Sequence, residues 1–182
     1  MKIAINGFGR IGRLVYRLMK EDDFFDVVAI NDLSSSEEMA YLLRYDTNHR
    51  TYDKDITFDS EGIIVDGKKT RVYSEMDPSN LPWGELGIDL VFECTGKFTK
   101  KEDANKHILA GAKKVLISAP GKGDMKTIVY NVNDDILTSD DIIVSAASCT
   151  TNCLAPIVKV LDDNFGIERG FMTTIHAYTN DQ

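Results

Sequence analysis

Short apolar runs alternate with stretches of helical periodicity along most of the chain. Lys2–Asn6 (KIAIN) reads as a buried strand, and Arg10–Glu21 carries Ile11, Leu14, Val15 and Leu18 as a helical stripe. Asp26–Asn31 reads as a second strand. Ser35–Arg44 reads as a second helix, with Ser35 and Glu38 at capping-box spacing. Between Asp55 and Ser74 the pattern shortens. Ile56–Phe58, Ile63–Val65 and Arg71–Tyr73 are broken by Gly62 and an Asp66-Gly67 turn, which predicts a small antiparallel excursion. Ile88–Cys94 is again strand-like. Thr99–Ala110 is helical, with a Thr99/Glu102 capping box and Gly111 as its stop. Val115–Ser118, Thr127–Tyr130 and Ile142–Ala146 read as further strands. A helix follows from about Cys149 to Asn164, ending near Gly166, and Phe171–Ala177 reads as a last strand. Strand, helix and strand in repetition imply a parallel sheet with crossover helices, an α/β fold.

Composition narrows the function classes. The net charge of −8 argues against a nucleic-acid binder, whose affinity would come from clustered Lys and Arg. No apolar run reaches the ~20 residues of a membrane helix. The N-terminus, MKIAINGFGRIG, lacks the layout of a signal peptide. The expectation is a cytoplasmic protein without membrane or nucleic-acid partners. Three cysteines, an odd count without a framework spacing, suggest reduced thiols.

Gly7-Phe8-Gly9-Arg10-Ile11-Gly12 is G-x-G-x-x-G, placed between a strand and a helix as a dinucleotide loop requires. Gly7 would allow the turn, Gly9 the approach of a pyrophosphate, and Gly12 the close packing of helix on sheet. Arg10 and Ile11 would supply amides at the helix N-terminus, which favours an anion. Asp32 follows Gly12 by 20 residues, at the end of the second strand. A carboxylate there suits ribose hydroxyls and repels a 2′-phosphate, favouring NAD over NADP.

SAASCTTNCLAP, Ser145–Pro156, raises a second question. Cys149 and Cys153 could share a helix face, but no further Cys or His lies nearby to complete a metal set. C-x-x-x-C is also not the redox C-x-x-C. A buried structural turn suits Cys153. Ser148 is a good N-cap, which places Cys149 in the first helical turn, where the dipole and free N–H groups stabilise a thiolate. Thr150 and Thr151 add donors for an anion. His49 and His107 read as surface residues. His176 ends the last predicted strand, whose return could bring it beside Cys149 as a base.

NGFGRIGR (Asn6–Arg13), AIND (Ala29–Asp32), DPSNLPW, ECTGKF, SAASCTTNCLAP and HAYTNDQ (His176–Gln182) together resemble phosphorylating glyceraldehyde-3-phosphate dehydrogenase, over the whole chain. The resemblance implies a Rossmann-type, mostly parallel NAD domain over 1–147, then the first helix and strand of an incomplete catalytic domain over 148–182. It implies Cys149 as nucleophile, His176 as its base, and Ser148, Thr150 and Thr179 as substrate or phosphate ligands. It implies Gly7, Gly9, Arg10, Ile11, Gly12, Asp32, Thr95 and Ser118 at the NAD site, with Met76 where many members carry an arginine, and no metal. Glyceraldehyde 3-phosphate and inorganic phosphate are the implied partners, within a homotetramer. Family members run to nearly twice this length. The implied absences include most of the catalytic sheet, a phosphate-binding arginine and a C-terminal helix, so the expectation is little turnover by this chain alone. Two other readings are an NAD-binding module without turnover and erythrose-4-phosphate dehydrogenase.

Overall fold

The computed structural model describes residues 1–177. Strands β1 (Lys2–Asn6) and β2 (Asp26–Asn31) are joined by helix α1 (Arg10–Lys20), and α2 (Ser36–Arg44) leaves β2. Ser35 caps α2 by accepting from the Glu38 N–H, as its spacing predicts. The excursion follows as β3 (Ile56–Asp59), β4 (Gly62–Val65) and β5 (Lys68–Tyr73), antiparallel to one another. Asp66 and Gly67 both have positive φ at the β4–β5 turn, as a type I′ hairpin requires. A short helix α3 (Trp83–Leu86) precedes β6 (Leu90–Glu93). Then come α4 (Lys101–Leu109), β7 (Lys114–Ile117), β8 (Ile143–Ser145) and α5 (Cys149–Phe165).

All eight strands form one sheet, in the order β3-β4-β5-β2-β1-β6-β7-β8. From β5 to β8 every pairing is parallel. The order reverses direction at β1, so the crevice above the β1–β6 boundary is the topological switch point where α/β sheets place ligands. Period-two alternation splits the strands between two cores. Ile3, Ile5 and Ile30 face α1 and α2, whereas Ala4, Ala29 and Val91 face Trp83 and Ala104 of α3 and α4. Each large aliphatic side chain so buried contributes roughly 1.5–3 kcal/mol of transfer free energy.

Several expectations are corrected. The buried residues of α1 are Gly12, Tyr16, Arg17 and Met19, while Ile11 and Leu18 are 50% and 65% exposed. Gly12 acts as a core residue because the helix touches the sheet there. The Thr99/Glu102 box does not form. Lys100 occupies the N-cap without a side-chain bond, because the Lys101 N–H donates to Lys122 O and Lys122 donates back to Thr99 O. Thr127–Tyr130 is not a strand. Thr127 makes a single bridge to Ser145, and the Asn133 side chain then accepts from the Val129 N–H and turns the chain. Phe171–Ala177 has no strand partner among the described residues, and Phe171 and Ile175 are fully exposed. Helix α5 likewise buries no residue, so Cys153 is exposed rather than part of a buried turn.

Candidate functional site

A cleft of about 520 Å³ opens at the carboxyl ends of β1, β2 and β6. Gly7, Gly9, Asp32, Met76 and Thr95 line it, with Asn6, Asn31 and Lys97. Gly7 has φ +92°, and a Cβ there would come within 2.8 Å of the Thr95 nitrogen. A Cβ on Gly9 would meet no protein atom within 4 Å, so that side of the loop faces open cleft. A Cβ on Gly12 would lie 2.1 Å from Gly7 O. The three glycines therefore differ in what they permit: the turn, the approach of a ligand, and the seating of α1.

The first N–H groups of α1, from Gly9 to Gly12, have no acceptor within the helix, and Gly9 supplies no side-chain cap. They offer a positive terminus to an anion. The Asp32 carboxylate is fixed by the Phe8 N–H (2.6 Å) and the Ser34 N–H (2.9 Å), one bond to each oxygen. Its remaining lone pairs can receive a diol. Free amides for a pyrophosphate, an anchored carboxylate for ribose and an open face at Gly9 together fit a nicotinamide dinucleotide.

Other expected contacts lie at the edges. Arg10 and Ile11 are exposed at the start of α1, and Met76 is 78% exposed at the cleft rim. Ser118 is outside the cleft wall. It follows β7, donating its N–H to Glu93 O and bonding the Cys94 thiol through its side chain. Burial pushes the Cys94 thiol up to about 12, so it is a neutral wall of the cleft.

Beneath the cleft lies a row of polar side chains that the apolar pattern does not reveal. Asn31, Asn6 and Glu93 occupy paired positions at the ends of β2, β1 and β6. Asn31 Nδ2 donates to Asn6 Oδ1 (2.7 Å), and Asn6 Nδ2 donates to Glu93 Oε2 (2.6 Å). His107 of α4 completes the row at 3.1 Å from Glu93 Oε2. The surface reading of His107 is thus wrong: its side chain is wholly buried. A histidine on an amphipathic helix looks exposed in sequence, and its acceptor comes from a neighbouring strand. The signal that could have found it is the run of polar residues at successive strand ends. His49 is half-exposed, beside Asp46.

The second centre stands at the tip of α5. Ala147, with φ +62°, turns the chain out of β8, and Ser148 caps the helix by accepting from the Thr151 N–H at 3.0 Å. Cys149 is then the first helical residue. Its Sγ lies 3.3 Å from His176 Nε2. The two meet without the expected strand, through a segment after α5 that is neither helix nor strand. The His176 contact lowers the Cys149 thiol from its ordinary value, slight desolvation opposes this, and the Thr150 hydroxyl and N–H add to the lowering. The thiol in turn raises His176, helped by the Ala177 carbonyl. Each group thus favours the charged form of the other, sulfur toward thiolate and the imidazole toward its protonated form. Thr179 lies outside the described residues. No group of three or more His, Cys, Asp or Glu among the described residues is placed to hold a metal, and none of their helices is long and apolar enough to cross a membrane.

Comparison with known proteins finds one family at both ends of the chain. Residues 1–101 match the family model "Glyceraldehyde 3-phosphate dehydrogenase, NAD binding domain", and residues 148–182 match the C-terminal domain of the same family. The chain is 58% identical over 181 residues to glyceraldehyde-3-phosphate dehydrogenase of Clostridium pasteurianum. It is 56% identical over 183 residues to glyceraldehyde-3-phosphate dehydrogenase 2 of Bacillus subtilis. Each alignment covers 100% of this chain and 54% of the relative, so the chain spans about half the length of the curated relatives it matches. An NAD-type crevice at the strand ends, a matching domain model and this level of identity place the chain in the glyceraldehyde-3-phosphate dehydrogenase family.

Proposed function

We propose that the protein to which this chain corresponds carries out NAD-dependent oxidative phosphorylation of glyceraldehyde 3-phosphate, with residues 1–147 as the cofactor domain and 148–182 opening the catalytic domain. The observation that carries the reading is the 3.3 Å contact between Cys149 Sγ and His176 Nε2. The Cys149 thiolate adds to the aldehyde carbon while protonated His176 gives its proton to the carbonyl oxygen, forming a hemithioacetal. NAD held at the Gly7–Gly12 loop and Asp32 would supply the acceptor for the hydride lost from that carbon. His176 takes the hydroxyl proton as the carbonyl re-forms, leaving a thioester on Cys149. Inorganic phosphate attacks the thioester carbon, the acyl phosphate forms, and the thiolate leaves. Ser148 and Thr150, with Thr179, supply hydroxyls to substrate or phosphate oxygens. A cytoplasmic homotetramer is the corresponding setting.

The chain taken alone should turn over slowly. Among the described residues His176 sits on a segment with no strand partner, and α5 buries none of its residues. A nucleophile and base held this loosely lose the positioning on which much of the rate depends. Single-turnover acylation is therefore the sensitive test. The chain is incubated with glyceraldehyde 3-phosphate and NAD, without phosphate, and its peptides are mapped by mass. A phosphoglyceroyl thioester at Cys149, absent in Cys149→Ser and without NAD, is expected. NAD binding with no adduct would favour a binding module instead. Faster acylation by erythrose 4-phosphate would favour the tetrose-phosphate enzyme.

A further inference from the structure

We propose that Glu93 and His107 are positioning residues for the cofactor cleft, holding its walls through one buried hydrogen-bonded chain that begins at Trp83. This rests on the reading of the cleft as the dinucleotide site. An indole N–H can only donate. Trp83 Nε1 donates to His107 Nδ1 at 3.0 Å, so Nδ1 is an acceptor without a proton. His107 is then the neutral Nε2–H tautomer, and Nε2 donates to Glu93 Oε2. The ring also lies stacked beside the indole, with centroids 6.4 Å apart and planes inclined by 25°. Trp83, His107 and Glu93 are each at most 1% exposed.

Glu93 is the hub. Oε2 receives Asn6 Nδ2 and His107 Nε2, and Oε1 receives the Thr95 N–H (2.8 Å) and the Thr95 hydroxyl. Four donors and no acceptor define an ionised carboxylate, kept in the interior by hydrogen bonds rather than by a cation. Two of its partners line the cleft. Thr95 is a wall residue. Asn6 is another, and it passes the orientation to Asn31. Asn31 in turn donates to Glu75 O at 2.9 Å and accepts from the Glu75 N–H at 2.8 Å, fixing the segment that carries Met76. One carboxylate thus sets the β1, β2 and β6 ends together, and His107 sets the carboxylate.

Two amide variants separate this role from packing. The amide of His107→Asn reaches the place of Nδ1, so it can accept from Trp83 but not donate to Glu93. The amide of His107→Gln reaches the place of Nε2, so it can donate to Glu93 but not accept from Trp83. Each loses one buried hydrogen bond, so similar losses of thermal stability are expected. Cofactor affinity should separate them. Calorimetric titration of the chain with NAD is expected to give a Kd about tenfold weaker in His107→Asn and within about threefold of wild type in His107→Gln, the worth of one hydrogen bond to a charged group. Glu93→Gln should weaken NAD binding at least as much as His107→Asn. The 15N shifts of His107 provide a second readout that needs no ligand, with a pyridine-like Nδ1 and a pyrrole-like Nε2 expected. Equal NAD affinities in the two amide variants, or a proton on Nδ1, would overturn the proposal while leaving the cleft reading intact. Failure of the wild-type chain to bind NAD would overturn both.

Discussion

The backbone oxygen of Gly7 stands 2.1 Å from where a Cβ of Gly12 would be. That approach seats the start of α1 on the end of β1 and aims its free N–H groups into the cleft. No side chain can be added without moving backbone. Gly12→Ala should therefore cost about 1–3 kcal/mol or more, the range for overpacking a well-packed site. Gly9→Ala should behave differently. Gly9 has φ −72° and ψ −158°, which alanine adopts freely, and its Cβ would meet no protein atom. Its stability should stay within about 0.5 kcal/mol of wild type while NAD affinity falls. Urea unfolding and NAD titration on both variants check the contrast. An unstable Gly9→Ala, or one that binds NAD normally, would count against the roles assigned to the loop.

Asp32 should control the choice between cofactors. Its carboxylate is held by two backbone N–H groups and cannot swing away from a 2′-phosphate without giving them up. Asp32→Asn keeps a carbonyl acceptor and removes the charge. The wild-type chain should prefer NAD, and the variant should narrow the NAD-to-NADP affinity ratio by about tenfold, or about 1.4 kcal/mol. Parallel calorimetric titrations give the ratio. An unchanged ratio would move the selectivity elsewhere.

The segment after α5 should be the first to yield to protease. Residues 166–177 have no helical or strand pairing, and Arg169 is exposed. Cleavage needs an extended backbone that can open locally, and such segments open at low cost. Limited trypsin should cut after Arg169 before any site within the eight-stranded sheet. Mass analysis of early fragments would show it, and first cuts between β1 and β8 would contradict the assignment of stability to the sheet.

What sequence reveals and what it hides divide along the range of the interactions. Lys2–Asn6, Asp26–Asn31 and the Gly7–Gly12 loop are set by local pattern and short turns, and they are readable. The parallel pairing of the strands follows from repeated crossovers. Ile11 and Leu18 mislead because periodicity alone does not say which stripe touches the sheet; Gly12, with no side chain, marks the contact. Phe171–Ala177 has the alternation of a strand, but a strand exists only when another lies beside it. His107 and Glu93 are invisible as a pair because a buried polar residue is stabilised by a partner that the local pattern does not contain. Of the candidate site, the cleft and Cys149 are legible in motifs, whereas the network below the cleft emerges only once strand register is known.

The reactivity of Cys149 should depend on His176 in a way that pH exposes. The thiol is lowered from its ordinary 9.0 and the imidazole is raised from its ordinary 6.5, each mainly by the other. Lowering the thiol means that thiolate persists as pH falls below 9. Raising the imidazole means that its proton persists as pH rises above 6.5. The contact therefore favours thiolate beside protonated imidazole, and the thiolate is lost by protonation of sulfur as pH falls through the lowered thiol value. Iodoacetamide reacts with the thiolate, so alkylation of Cys149 should begin at lower pH than for an ordinary thiol. His176→Ala should move the onset upward toward 9.0 and slow alkylation at neutral pH in proportion to the thiolate lost. Well above pH 9 the two rates should converge, because both proteins then carry the thiolate. Cys94, pushed up to about 12 by burial, should stay unmodified throughout. Cys153 supplies an internal reference, since it is exposed on the same helix and bonds no histidine among the described residues. Peptide mapping across a pH series separates the three. Identical Cys149 profiles in wild type and His176→Ala would show that the 3.3 Å contact does not set the thiol's charge.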